Sequence, residues 1–294
     1  VSTVAVPIEA PDEGVQQRKT ARRERYRQLL RSPTFIVGAF LVAIWVICAI
    51  GYTHLAPSDP FATEPLRRLR APSSQHLFGT DRLGRDVLSR VITGARVILV
   101  VAPLATLIGT VAGTALGLVT GYFGGIVDDS LMRLVDAFLA LPLVILGLLF
   151  LVALGPSTIA VILVIGIVFT PIIARTVRAA VLAERGQEYM QAAKLRQERA
   201  PYIMFVELLP NVLPSILVEF TVRLGYAIFA IVTLTFLGFG IQPPSPDWGL
   251  SIFDHYAFIS GGFWWPVLFP ALAIATLVVG VNLASDAISQ AFER

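Results

Sequence analysis

Six stretches of the chain stay apolar for about the 20 residues that a helix needs to cross the hydrocarbon core of a bilayer. They fall at roughly 34–52, 97–120, 132–154, 157–175, 212–237 and 265–284. The second, VILVVAPLATLIGTVAGTALGLV, is rich in Gly, Ala and Thr, which predicts close packing against other helices. Pro142 predicts a kink in the third. Only Gly155 and Pro156 separate the third stretch from the fourth, which predicts a tight helical hairpin. The first stretch begins only at residue 34 and is followed by no small-residue cleavage site, so it reads as a membrane helix rather than a signal peptide. The expected fold is an all-α integral membrane bundle of six transmembrane helices.

Composition agrees with that pattern. The chain is 55% hydrophobic and 15% charged, with a mean hydropathy of +0.74, too little charge to cover a soluble surface. Lys and Arg decide the orientation. With the N-terminus inside, the inner side carries fifteen, including seven in the tail 1–33, and the outer side carries seven, all within 53–96. The excess predicts N-in, C-in, with 285–294 as an inner tail. The basic run VQQRKTARRERYRQLLRSP predicts a helix lying on anionic headgroups of the bilayer. Spread over several loops, these cations make no nucleic-acid patch. The single cysteine, Cys48, forms no disulfide framework, and His54, His76 and His255 are too far apart for a metal site.

No catalytic chemistry is visible. Lys19 and Lys194 are the only lysines, and neither follows a glycine, so no phosphate loop exists. No serine elbow or zinc-binding histidine pair occurs. The chain reads as a passage whose energy is supplied elsewhere.

Three polar constellations remain. The inner loop 176–211 contains QEYMQAAKLRQERAPYIMFVELLPN, in which Tyr189, Ala192, Ala193 and Arg196 fall on one helical face, with Glu184, Glu188, Lys194 and Glu198 nearby. That helix should end around 197–200, and Pro201 suits the first turn of the next. It either seats in a groove of another protein or is a solvated connector. On the outer side, Gly79, Thr80, Asp81, Gly84, Arg85 and Asp86 precede an apolar stripe of Val87, Leu88, Val91, Ile92 and Ala95. Thr80 or Asp81 is expected to cap a helix beginning near Leu83. This segment either orders the outer loop or meets a partner. Glu219 and Arg223, four apart on the fifth span, lie roughly 10–17 Å deep if counted from Val212. An unpaired charge there costs about 3 kcal/mol, so the two should pair, either lining a path or bracing the bundle. Arg133 and Asp136 read as an interfacial pair, Gly238, Gly240, Pro243, Pro244 and Pro246 as an irregular outer loop, and Trp248, Trp264 and Trp265 as an aromatic belt.

The segment EYMQAAKLRQERAPYIMFVELLPN resembles the cytoplasmic E-A-A motif of permeases of ATP-binding-cassette importers. Gln191, Ala192 and Ala193 stand at E-A-A, and Leu209, Pro210 and Asn211 at its L-P-N end. Two positions depart: Gln197 replaces a glycine, and Glu207 replaces a basic residue or histidine. FGTDRLGRDVLSRVITGAR (78–96), GYFGGIVDDSLMRLVDAFLALP (121–142) and FLGFGIQPPSPDWG (236–249) are similar to signatures of the dipeptide, oligopeptide and nickel permeases. The resemblance covers about 34–294 and is to the shorter, second permease subunit. It implies a five-helix core over 97–284 of the small-importer type, in an inner membrane. It also implies a loop helix over 187–199, bearing Glu188, Tyr189, Gln191, Ala192, Ala193, Lys194 and Gln197, that fits a cleft on an ATPase. The implied partners are a homologous longer permease, two ATPase subunits holding ATP and Mg²⁺, and an extracytoplasmic binding protein that delivers peptides or similar solutes. No cofactor is expected in this chain. The competing classes are a self-sufficient channel or secondary transporter using Glu219 and Arg223 as a relay, and a scaffold protein.

Overall fold

The computed structural model describes residues 29–293, all helix, turn and loop apart from one isolated bridge between Thr80 and Asp86. The basic run expected to form a surface helix lies mostly outside these residues, as does Arg294. Among the described residues nine α-helices of eight residues or more follow one another: α1 Pro33–Leu55, α2 Val87–Phe123, α3 Gly125–Leu139, α4 Leu143–Leu154, α5 Thr158–Glu184, α6 Glu188–Leu195, α7 Ala200–Phe236, α8 Trp248–His255 and α9 Trp265–Glu293. Five are long and apolar enough to cross a membrane: α1, α2, α5, α7 and α9.

The third expected span, 132–154, is broken. Its two parts, α3 and α4, meet at 91°. Pro142 has no N–H to donate and pushes Leu141 out of helical geometry, so the chain turns there instead of kinking. At 1.5 Å per residue, the 12 residues of α4 reach about 18 Å, short of the roughly 30 Å hydrocarbon core. The hairpin from α4 to α5 forms as expected: Gly155 takes φ +81°, and the Ser157 hydroxyl accepts from the Ala160 amide at 3.1 Å.

The centre of the bundle is the pairing of α2 with α5. Gly109, Gly113, Gly117 and Gly121 recur every fourth residue along one face of α2. A methyl group on Gly113 would stand 2.7 Å from Cβ of Ile173, and one on Gly117 2.7 Å from Cβ of Val177. The bare backbone lets the helices touch, and dispersion contacts, which lipid cannot supply better, hold them. α1 approaches α9 just as closely, since a methyl on Gly38 would meet the Gly280 carbonyl at 2.8 Å. α1 also packs on α2, and its remaining face points outward through Ile36, Phe40, Ile47 and Ile50.

α7 is a single helix from the inner loop to the outer one. Within it Ile203–Leu208 form a wide π turn, in which the Leu209 N–H reaches back five residues to the Met204 carbonyl. Pro210 cannot donate to residue 206, and the wide turn absorbs that missing bond.

Candidate functional site

On the inner side, α5 runs past the expected membrane boundary to Glu184, and α7 begins at Ala200, so the connector is shorter than the sequence pattern suggested. Its only element is α6. Met190 and Ala193 are fully buried beneath it, while Glu188, Gln191, Ala192 and Leu195 form the exposed face. The expected face is thus corrected: the two alanines point different ways, with Ala193 anchoring the helix and Ala192 free. Leu195, 84% exposed, was missed. The spacing 188, 191, 192, 195 was readable, but nothing in the sequence says which stripe of an eight-residue helix faces out.

The end of α6 is held although a glycine is absent. Gln197 takes φ +54°, its amide donates to the Lys194 carbonyl at 3.0 Å, and the Glu198 amide donates to the Ala193 carbonyl at 3.3 Å. These are the two bonds of a Schellman cap, made here by a residue with a side chain. Glu207, the other departure, accepts from Arg196 Nη2 at 2.9 Å, while Arg196 Nε reaches Glu198 at 2.6 Å. The Tyr189 hydroxyl donates to Glu184 Oε2 at 2.8 Å, and burial, then that carboxylate, pushes its pKa up to about 12. The phenol therefore stays a donor at any physiological pH. Together these contacts fix α6 to the end of α5 and to the base of α7. Asp136 pairs with Arg175, and Asp128 accepts from Nε and Nη2 of Arg178, so the expected Arg133–Asp136 pair is replaced by bridges from α3 to α5.

In the bundle, Arg223 Nε bonds Glu219 Oε1 at 2.6 Å, with the side chains 18% and 12% exposed. The pair sits near the midpoint of α7, deeper along the helix than the sequence count suggested because α7 starts at Ala200. The Arg223 guanidinium also lies 5.4 Å from the centre of the Tyr226 ring. A hollow of about 250 Å³ between α4, α5 and α7 has Arg223, Tyr226 and Phe229 on one wall. A second, of about 370 Å³, opens between α7 and α9, with Tyr226 and Phe229 again on its wall opposite Asn282, Ser285 and Asp286. One face of α7 therefore carries a charge pair and two exposed aromatic rings between an apolar hollow and a polar one.

On the outer side the expected motif folds into a buried polar knot. Asp86, not Thr80 or Asp81, caps α2, accepting from the Ser89 amide at 2.8 Å and its hydroxyl at 2.7 Å, while Oδ1 lies 2.9 Å from His76 Nδ1. Asp81 instead closes the preceding turn, taking the Leu83 amide at 2.8 Å and Arg85 Nε at 2.6 Å. Gly79 and Gly84 take φ +73° and +79°, and a methyl on Gly84 would lie 2.0 Å from the Glu64 carbonyl, so both glycines are required. The Thr80 carbonyl accepts from Trp265 Nε1 at 3.0 Å, and Trp248 Nε1 donates to the Val91 carbonyl at 2.9 Å. Both indoles are buried, which corrects the aromatic belt: of the three tryptophans only Trp264 is exposed. Arg82 reaches Asp254 at 2.9 Å, and Arg90 donates to the carbonyls of Pro60 and Ser245. Burial holds the pKa of His255 below its usual value, so its ring accepts the Arg82 amide at Nε2 as a neutral imidazole.

Comparison with known proteins defines the class. Residues 113–294 match the family described as binding-protein-dependent transport system inner membrane component. The dipeptide transport system permease protein DppC of Alkalihalophilus pseudofirmus is 36% identical over 287 residues, covering 98% of this chain and 94% of that protein. The di/tripeptide transport system permease protein DppC of Pseudomonas aeruginosa is 34% identical, covering 92% and 91%. The MetNI methionine ABC transporter, solved in inward-facing conformations, shares the fold at 21% identity with a TM-score of 0.57, over 70% of this chain and 97% of that one. The chain belongs to the binding-protein-dependent inner-membrane permease family of ABC importers. It is a multi-pass inner-membrane permease subunit and not the ATPase.

Proposed function

We propose that this chain is a transmembrane subunit of an ATP-driven importer for dipeptides, oligopeptides or similar small solutes. The observation that carries the coupling role is the division of α6. Its Met190–Ala193 side is locked under the chain, while Glu188, Gln191, Ala192 and Leu195 stand free. A short helix held rigidly on one side and bare on the other suits seating in a cleft of an ATPase partner. ATP and Mg²⁺ bind in the two ATPase partners, whose closure moves α6. Because α6 is tied to the base of α7 through Arg196 and Glu207, the motion enters α7 directly. Glu219 and Arg223 line the path at the middle of that helix, shared with a second, homologous permease. An extracytoplasmic binding protein delivers the solute above the outer knot. The peptide assignment rests on the relatives named for dipeptides and di/tripeptides.

The test is to purify the tagged chain in mild detergent from its own host and identify the co-purifying subunits by mass. The complex is then reconstituted and assayed for uptake of labelled dipeptide. A second permease and a phosphate-loop ATPase, with ATP-dependent uptake that Ala192→Trp abolishes, support the proposal. A chain that purifies alone and exchanges solute without ATP overturns it in favour of a self-sufficient transporter.

A further inference from the structure

A groove of about 590 Å³ runs down the outside of the bundle between α1 and α2, walled by Val46, Ile50, Leu99 and Pro103. Arg96 closes one end, its guanidinium carbon 4.8 Å from the centre of the Tyr52 ring. The other arginines of the outer segment are committed: Arg67, Arg82 and Arg85 each hold a carboxylate at 2.6–2.9 Å, and Arg68, Arg70 and Arg90 donate to backbone carbonyls. Among the described residues Arg96 is in no such ion pair, and it is exposed. The two helices run antiparallel here, with Tyr52 beside Arg96, so from Arg96 to Pro103 the groove descends about 10 Å along α2. Both walls belong to membrane-spanning helices. The Arg96 end lies on the side away from α6, since the opposite end of α2, at Gly124, meets Arg185 just before α6.

A cation stacked on an interfacial tyrosine, at the head of an apolar trough that leads into hydrocarbon, is complementary to one kind of molecule. It has an anionic head and a long apolar tail. A phosphodiester accepts two parallel bonds from a guanidinium, whose planar fork the ring beneath it holds in place. An acyl chain fills the trough and removes its walls from looser packing with bulk lipid. We propose that this groove binds an anionic phospholipid in the leaflet opposite α6. A zwitterionic headgroup would bring its own ammonium towards Arg96 and fits less well.

The experiment uses the full chain with its co-purifying subunits, delipidated in mild detergent. It is titrated with phosphatidylglycerol or phosphatidylcholine of the same acyl chains, and bound lipid is counted by native mass spectrometry. Phosphatidylglycerol is expected to be retained on the order of fivefold better, and Arg96→Gln should bring it to the phosphatidylcholine level. Arg68→Gln, on the same side but outside the groove, should change neither. Equal retention of the two lipids by the wild type, or undiminished phosphatidylglycerol on Arg96→Gln, overturns the proposal. Should Arg96→Gln fail to assemble, Val100→Trp fills the trough and leaves the cation in place. Phosphatidylglycerol retention unchanged in that variant overturns the proposal equally.

Discussion

Replacing Asp247 with asparagine weighs the burial of a carboxylate in the outer knot. The side chain is fully buried, Oδ1 accepts from the Leu250 amide at 2.9 Å, and Oδ2 has no hydrogen-bond partner among the described residues. Burial pushes its pKa up from the usual 3.8 to about 6, and the amides of Leu250 and Gly249 and the Arg90 guanidinium pull it only part of the way back. A raised folded-state value means that the folded chain holds the proton more tightly than the unfolded one. That stabilisation is fully present below pH 4 and is lost as pH rises through about 6. About two units at 1.36 kcal/mol each makes the ionised carboxylate cost about 3 kcal/mol at pH 8. Asparagine keeps the acceptor for Leu250 and carries no charge. His255 works in the opposite sense, since its lowered value favours the fold at high pH and weakens it as pH falls below about 6.5. The readout is therefore the difference between variant and wild type, in which His255 cancels. Denaturant unfolding followed by tryptophan fluorescence, with Trp248 adjacent as reporter, should show Asp247→Asn ahead by about 3 kcal/mol at pH 8. The lead should shrink to about 1 kcal/mol near pH 4.5 and vanish only below pH 4. A difference that stays constant from pH 4.5 to 8 would refute the reasoning.

Three further outcomes are expected. Gly113→Val should cost at least 1–3 kcal/mol by overpacking α2 against Ile173, lowering the melting temperature in detergent, whereas Gly186→Ala, with open space around it, should leave it unchanged. Gln197→Gly should relieve a left-handed side chain worth about 1 kcal/mol and slow hydrogen exchange in the last turn of α6 by roughly fivefold; faster exchange would show that the Gln197 side chain stabilises the cap. Arg223→Gln alone should lower folded yield more than Glu219→Gln/Arg223→Gln together, because the single change strands a carboxylate in the membrane, at a cost of about 3 kcal/mol.

How far the chain was legible depended on what each residue had to declare. Long apolar runs announce themselves, so α1, α2, α5, α7 and α9 stand close to where hydropathy put them. Pro142 announced a disturbance, but a proline does not state whether a helix bends or stops, and here it stops, with α3 and α4 meeting at 91°. The indoles of Trp248 and Trp265 misled, because an interfacial ring and one that closes a buried bond to Val91 or Thr80 look alike in sequence. Glu219 and Arg223 were found as a pair because spacing alone brings them together. The knot around Asp86 was seen as a segment but not as a set of contacts, since Ser245, Asp254 and Trp265 reach it from distant positions.

The wide turn at 203–208 gives α7 one residue more than the ordinary repeat would use. Each residue of an α-helix carries about 100° of rotation. That extra residue therefore sets the compass bearing of everything beyond it, including Arg223, Tyr226 and Phe229, relative to the first turn of α7 at Ala200–Tyr202. A chain identical except for a single deletion in this turn would keep its charge pair and its rings, yet aim them more than a quarter-turn away, towards a different neighbour. Because Glu207, which fastens α6, lies in the same turn, adding or removing one residue there would shift the bearing of the α7 face and the fastening of α6 together.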